Sequence, residues 1–220
     1  MRIYIYLISI LVTLLIICEG LKDNFKYAPN RIKFICTGIF AAMLLRYGSI
    51  IIFTISEDMR YLYLLKPLYF LNFLCILIAA LTSIYILMRN DKIKFLYMFP
   101  LSLILILIYG YLIYKYPARL GLNIIYGYHI EFIGNPYIYI GYMLMNVFFI
   151  ILSMNIYRAN IDKKGIIFIV SASIGTILET MLYVLGKGIF IHLIIGDLLW
   201  MVTLNYAISK LKKSIITSKK

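Results

Sequence analysis

Three ionisable side chains in this sequence fall deep inside long apolar runs. Glu179 lies in the run Ile166 to Leu185, Asp197 in the run Ile189 to Ile208, and Arg46 is the base in the middle of a third run, Phe34 to Ile55. Each run has about the ~20 residues that carry a helix across a ~30 Å hydrocarbon core, so a charge at mid-run needs a partner or a purpose. At ~1.5 Å of rise per residue, Glu179 falls roughly 10 Å, Asp197 roughly 12 Å and Arg46 about 12 Å below the same membrane face. The spacing therefore predicts one charged layer shared by three helices. Such a layer can neutralise itself and fix helix packing, or it can form a polar pocket for a small ligand, an ion or a proton. Asn72, about one turn inside its run, could reach the layer, with an interhelical hydrogen bond as the blander reading, and Asn146, near the midplane of another run, is the other uncharged candidate for the pocket.

Other chemistries fit the residues less well. Gly196-Asp197 is similar to the end of the Gly-x-Gly-Asp motif of intramembrane aspartyl proteases, but Ile194 stands where the motif has glycine and no Tyr-Asp partner lies in another run. A pairing of His192 with Ser171 or Ser173 would span more than ~10 Å of depth, too far for a nucleophile and its base. The two histidines, His129 and His192, make no zinc motif, and neither a mid-depth lysine in the last run nor a phosphate-cradling loop is present. Cys18, Cys36 and Cys75 read as packing residues. The expectation is a protein that is not an enzyme and needs no cofactor.

The elements that must hold the layer follow from composition. Hydrophobic residues make up 64% of the 220, far above the ~45–50% of a soluble domain, which makes this an integral membrane protein. Seven runs are long enough to span: Ile3 to Cys18, Phe34 to Ile55, Leu68 to Met88, Phe95 to Tyr114, Tyr137 to Tyr157, and the two that hold the acids. The fold class is all-α, a seven-helix bundle over residues 1–209 with a basic tail over 210–220. The first run could be a signal peptide, but no small-residue cleavage site follows it, so it reads as a retained helix.

The net charge of +13 does not point to nucleic acid, because the basic residues flank the runs and form no single patch. Fifteen of the 22 lysines and arginines lie in one parity of loops, among them Lys26, Arg31, Lys94, Lys164 and Lys212; six lie in the other, and Arg46 is the remainder. Cytoplasmic loops are the basic ones, so the N-terminus is expected outside and the tail inside, with the charged layer in the outer half. The basic tail could lie against anionic lipid headgroups.

Several local features refine this picture. Gly38, Ala42, Arg46 and Ser49 share a helix face, as do Ser171, Gly175 and Glu179, which predicts close helix approach along both stripes. Ser56 to Arg60 reads as an outer polar turn and Arg89 to Lys94 as a cytoplasmic one. Pro100 would kink its helix if it lay beyond the first turn. The longest outer segment, Lys115 to Pro136, contains Asn123-Ile-Ile-Tyr-Gly-Tyr-His-Ile-Glu-Phe-Ile133, whose β-branched and aromatic residues around Gly127 predict a short hairpin over the bundle's outer mouth. The 21 tyrosines read as an interfacial belt.

Seven helices with the N-terminus out, a long outer segment ending Gly134-Asn135-Pro136-Tyr137, Gly196-Asp197-Leu198-Leu199-Trp200 in the seventh helix and the basic exit Ser209-Lys210-Leu211-Lys212-Lys213 together resemble the N-terminal seven-helix sensor region of bacterial membrane histidine kinases and diguanylate cyclases. In that family the seventh helix feeds a cytoplasmic output domain; this sequence stops at Lys220, so the resemblance implies a stand-alone sensor-like module whose output passes to another protein. The isoleucine-, lysine- and tyrosine-rich composition fits an AT-rich bacterial genome, hence a bacterial plasma membrane. The expected function is a non-enzymatic regulatory module that takes a small ligand or proton at Arg46, Glu179 and Asp197, shifts the last two helices and signals through a cytoplasmic or membrane partner. The alternative is a small transporter or a transporter's membrane subunit.

Overall fold

The computed structural model describes residues 2–56, 59, 61–88, 95–123, 126–134, 136–157, 163–188 and 190–218. Seven of its helical stretches are long and apolar enough to cross a membrane, and a two-stranded antiparallel sheet joins them. In chain order they are α1 (Arg2–Tyr27), α2 (Asn30–Ile55), a span opened by a tight turn over Leu62–Leu65 and continued by α3 (Lys66–Tyr69) and α4 (Asn72–Met88), then α5 (Met98–Lys115), β1 (Ala118–Asn123), β2 (Gly127–Phe132), α6 (Tyr137–Tyr157), α7 (Lys163–Val184) and α8 (Ile194–Ser218). The expected polar turn over 56–60 and the turn over 89–94 fall largely or wholly outside the described residues.

α8 is the axis of the bundle. It packs on α1, α4 and α7, and Trp200, Met201, Leu204, Ala207 and Ile208 on it are fully buried. α5 is the outlier: it packs on α4 and turns Leu103, Ile104, Leu107 and Ile108 outward. Leu11, Leu15, Leu144, Ile151, Leu178 and Leu185 likewise face out from α1, α6 and the end of α7, the inverse of a soluble surface and what hydrocarbon contact requires.

α1 runs nine residues beyond the apolar run that announces it. Its polar last turns are held by packing on α8 and α2: a Cβ at Gly20 would meet Asn205 Oδ1 at 2.0 Å, and Asn24 donates to Lys33 O and Thr37 Oγ1 at 3.1 and 2.9 Å. Pro29 then excludes the α region for the residue before it, and α2 begins at the next residue. Pro100 is the third residue of α5, inside the first turn, where its missing N–H costs nothing.

Two sequence expectations about close packing are corrected. Gly38 is exposed with nothing within 4 Å of an added Cβ, so the stripe below Arg46 meets no neighbouring helix there. On α7 the expectation is corrected only at Ser171, which is exposed; Gly175 does make the expected close approach, against Leu199, and Gly196 of α8 makes another against Thr176, where a Cβ would come within 2.3 and 2.9 Å. Cys18 is exposed and so is no packing residue, whereas Cys36 and Cys75 are buried.

The hairpin is present, displaced in register from the sequence reading. Its first strand is drawn from Ala118–Asn123, and Gly127 opens the second strand; residues 124 and 125 lie outside the described ones. Gly127 has φ +80, and a Cβ there would meet Phe53 O at 2.9 Å, so the turn end rests on the top of α2 and only glycine fits without strain. Ala118, Ile130 and Phe132 are buried toward the bundle, with Phe132 stacked on Phe70 at 4.1 Å. This supplies the support that an isolated two-stranded ribbon lacks.

Candidate functional site

The site is built on two interrupted helices. Between α3 and α4 the hydrogen bonding tightens, with Phe73 N–H reaching Phe70 O at 3.1 Å rather than the carbonyl of Tyr69 four residues back. That leaves the Tyr69 carbonyl free to accept from a side chain. α7 closes in a Schellman motif: Gly186, at φ +71, donates to Tyr183 O at 3.0 Å, and Lys187 N–H reaches Leu182 O at 2.9 Å. The described residues 187, 188 and 190–193 are non-helical and form a strap that ends at Leu193, a non-glycine residue at φ 52, before α8 starts. The apolar run Ile189 to Ile208 is therefore not one helix. Asp197 sits in the first turn of α8, where an acid opposes the positive end of the helix dipole, and not at mid-helix as the run length predicts.

Arg46 is the fastener. Its Nε donates to Asp197 Oδ2 at 2.8 Å, Nη2 to the carbonyl of His192 at 2.6 Å, and Nη1 to the carbonyl of Tyr69. One guanidinium thus joins α2 to α8, to the strap and to the α3–α4 break, with Arg46 1% exposed and Asp197 0%. Tyr47 Oη adds a long contact to the same carboxylate oxygen at 3.5 Å, while Asp197 Oδ1 is buried with no partner among the described residues.

Glu179 belongs to the cluster but not to the arginine. Its two oxygens accept from the backbone N–H groups of Ile195 and Gly196 at 3.0 and 2.7 Å, so the side chain caps the N-terminus of α8 from α7. Among the described residues, the ion pair of Arg46 is with Asp197. The three charged groups of the sequence reading are all buried around the start of α8, as two separate fastenings and not one triad.

Asn72 is buried beside this node with Oδ1 unpartnered among the described residues. Asn146 is elsewhere: its Nδ2 donates to Tyr142 O at 2.9 Å and its Oδ1 accepts from Trp200 Nε1 at 3.2 Å, an α6–α8 tie. His192, absent from the sequence-stated pocket, is central. Its Nδ1 is 2.7 Å from Tyr69 Oη, and its Nε2 is buried without a partner among the described residues. Burial, reinforced by the charge of Arg46, holds the imidazole pKa down at about 3, so the ring is neutral at ordinary pH.

Two cavities meet here. A water-sized one of about 10 Å³ is lined by Arg46, Tyr69, Asn72 and His192. A larger one of about 640 Å³ lies between the hairpin and the strap, in the size range of sites for organic ligands. Tyr139, Tyr183 and Ile191 line both, so the larger vestibule and the inner chamber share a wall. Strand alternation places Arg119, Gly121, His129 and Glu131 on one face: Gly121 leaves room for the His129 ring, His129 Nε2 lies 3.0 Å from Glu131 Oε1, and Arg119 Nη2 lies 3.2 Å from Glu131 Oε2. His129 and Glu131 both line the vestibule.

No family model, curated protein or solved structure matches this chain.

Proposed function

We propose that the chain is a membrane-embedded receiving module, non-enzymatic, that takes a small ligand in the vestibule and passes its occupancy to the opposite ends of α7 and α8. One observation carries this reading: a ligand-sized cavity shares Tyr139, Tyr183 and Ile191 with the chamber in which Arg46 fastens α2 to α8. Glu179 clamps α7 to the start of α8, so these two helices form one unit, and the Arg46–Asp197 pair is that unit's link to α2. A ligand that displaces Ile191 or Tyr183 acts on the strap whose His192 carbonyl holds Arg46, and so biases the link. The basic-residue asymmetry supports an orientation with the vestibule outside and the tail in the cytoplasm of a bacterial plasma membrane, where a partner protein would receive the signal. Such a receiving module would resemble the seven-helix sensor region of bacterial histidine kinases and diguanylate cyclases.

The test is a distance between nitroxides at Arg31→Cys on α2 and Lys164→Cys on α7, both exposed and both at helix ends away from the vestibule, with Cys18, Cys36 and Cys75 replaced. Ligand in the vestibule is expected to shift that distance by about 1–2 Å, and Arg46→Met to abolish the response. A distance indifferent to both ligand and Arg46→Met refutes the reading. A transporter remains the second reading because Thr82, Ser83, Ser173 and Asn205 carry buried polar atoms with no partner among the described residues, which would serve a path through the bundle. Uptake into proteoliposomes separates the two.

A further inference from the structure

We infer that the vestibule selects an organic cation, a primary amine or ammonium on an apolar or aromatic body. This deepens the reading above and rests on the vestibule being the ligand's place.

The lining decides the class. Five of its fourteen lining residues are aromatic, Tyr126, Phe132, Tyr139, Tyr183 and Phe190, of which Phe132 is already stacked on Phe70 with Lys66 Nζ 5.8 Å from its centroid; the one formally charged side chain is Glu131, and no lysine or arginine is among the lining residues described. A carboxylate beside the rings of Tyr126, Tyr139, Tyr183 and Phe190 attracts a cation through its charge, reinforced by the quadrupole of any ring whose face the cation reaches, and it repels an anion. The rings stand in contact pairs: Tyr139 and Tyr183 have centroids 5.1 Å apart, and Tyr126 and Phe190 lie 6.4 Å apart. Lys187 lies between two lining glycines but is exposed and does not itself line the cavity.

Glu131 already holds a cation that can be replaced. Arg119 contacts it from a side chain that is 69% exposed, an arrangement that holds the carboxylate in place at little net gain. A ligand ammonium inside the vestibule takes over one oxygen while Arg119 swings into water. His129, bridging to the other oxygen with its Nδ1 buried and without a partner among the described residues, remains as the orienting neighbour. The volume of about 640 Å³ suits an organic ligand and is far larger than a bare metal ion needs.

The experiment is calorimetric binding to the full chain in nanodiscs with three isosteric probes: phenethylamine, phenethyl alcohol and phenylacetate. Phenethylamine is expected to bind about tenfold or more tighter than either of the others, Glu131→Gln to remove that preference, and Arg119→Ala to tighten amine binding severalfold by removing the competing cation. Equal affinity for the amine and the alcohol overturns the inference, as does a preference for phenylacetate or amine binding no tighter than about 1 mM. Because Glu131→Gln could loosen the hairpin, Arg119→Ala at the exposed position gives the independent check. The two proposals fail separately: an amine that binds without moving the Arg31–Lys164 distance leaves the site standing and removes the signalling reading, whereas a neutral or anionic probe that moves it removes the amine assignment alone.

Discussion

Replacing Arg46 by methionine should be among the most damaging single changes in this chain. Methionine fills much of the arginine's volume but supplies none of its donors, so Asp197 keeps a buried carboxylate with only a 3.5 Å contact from Tyr47, and the carbonyls of Tyr69 and His192 lose their partner. Breaking one side of a buried pair costs about 3–5 kcal/mol, much of it the penalty of the charge left behind. For a chain of this size that corresponds to a melting temperature lower by roughly 6–20 °C. Asp197→Leu alone strands the guanidinium and should cost a similar amount. The double variant removes both charges, and should recover about half or more of either single loss, because a buried pair contributes little net stability relative to apolar replacements. Thermal unfolding of the four proteins in one detergent completes the cycle. If Arg46→Met costs under about 1 kcal/mol, or if the two losses simply add, the pair does not fasten α2 to α8.

Three further outcomes follow from the same geometry. Glu179→Ala leaves the Ile195 and Gly196 amides without acceptors and should cost about 2–4 kcal/mol, with hydrogen exchange speeding up in the first turn of α8 before it does elsewhere; Glu179→Gln, with one oxygen left, should fall between. His192 is held neutral with its pKa near 3, below the ~6.5 of an unfolded histidine, so the unfolded chain takes the proton first and stability is lost as pH falls from about 6.5 toward 3. At pH ~5 the loss attributable to His192 is about 2 kcal/mol, and melting curves of His192→Gln should lose that part of the pH slope. Gly127→Ala forces a side chain into a positive φ against Phe53 O and should cost about 1–2 kcal/mol, read as faster proteolysis of the hairpin with the helical signal unchanged.

Much of this was written in the hydropathy of the sequence. Seven spans announce themselves by length and apolar content, and Arg46 and Asp197 stand out because an ionisable group inside an apolar run demands an explanation. Glu179 stands out for the same reason, but its partner does not, because that partner is backbone. Two amides become acceptor-hungry only if α8 starts at Ile194, and hydropathy reads straight through from Ile189. The glycines at 186 and 188, followed by a histidine, were the available sign of a break. The vestibule was hidden for a different reason. Its tyrosines, Tyr126, Tyr139 and Tyr183, have the composition of an interfacial belt, and only the folding of the hairpin over the strap separates rings that line a cavity from rings that anchor to headgroups. Asn146 shows the converse: a polar residue at mid-span whose hydrogen bonds are spent on Trp200 and Tyr142.

The most direct test of the vestibule and its coupling is chemical access to Ile191, which lines both cavities. In a background lacking the three native cysteines, Ile191→Cys in sealed, oriented vesicles should react with a membrane-impermeant thiol reagent applied from the hairpin side, and the adduct should shift the Arg31–Lys164 distance as a ligand does. Reaction only from the side of the basic tail, or full modification that leaves that distance unchanged, would contradict the account.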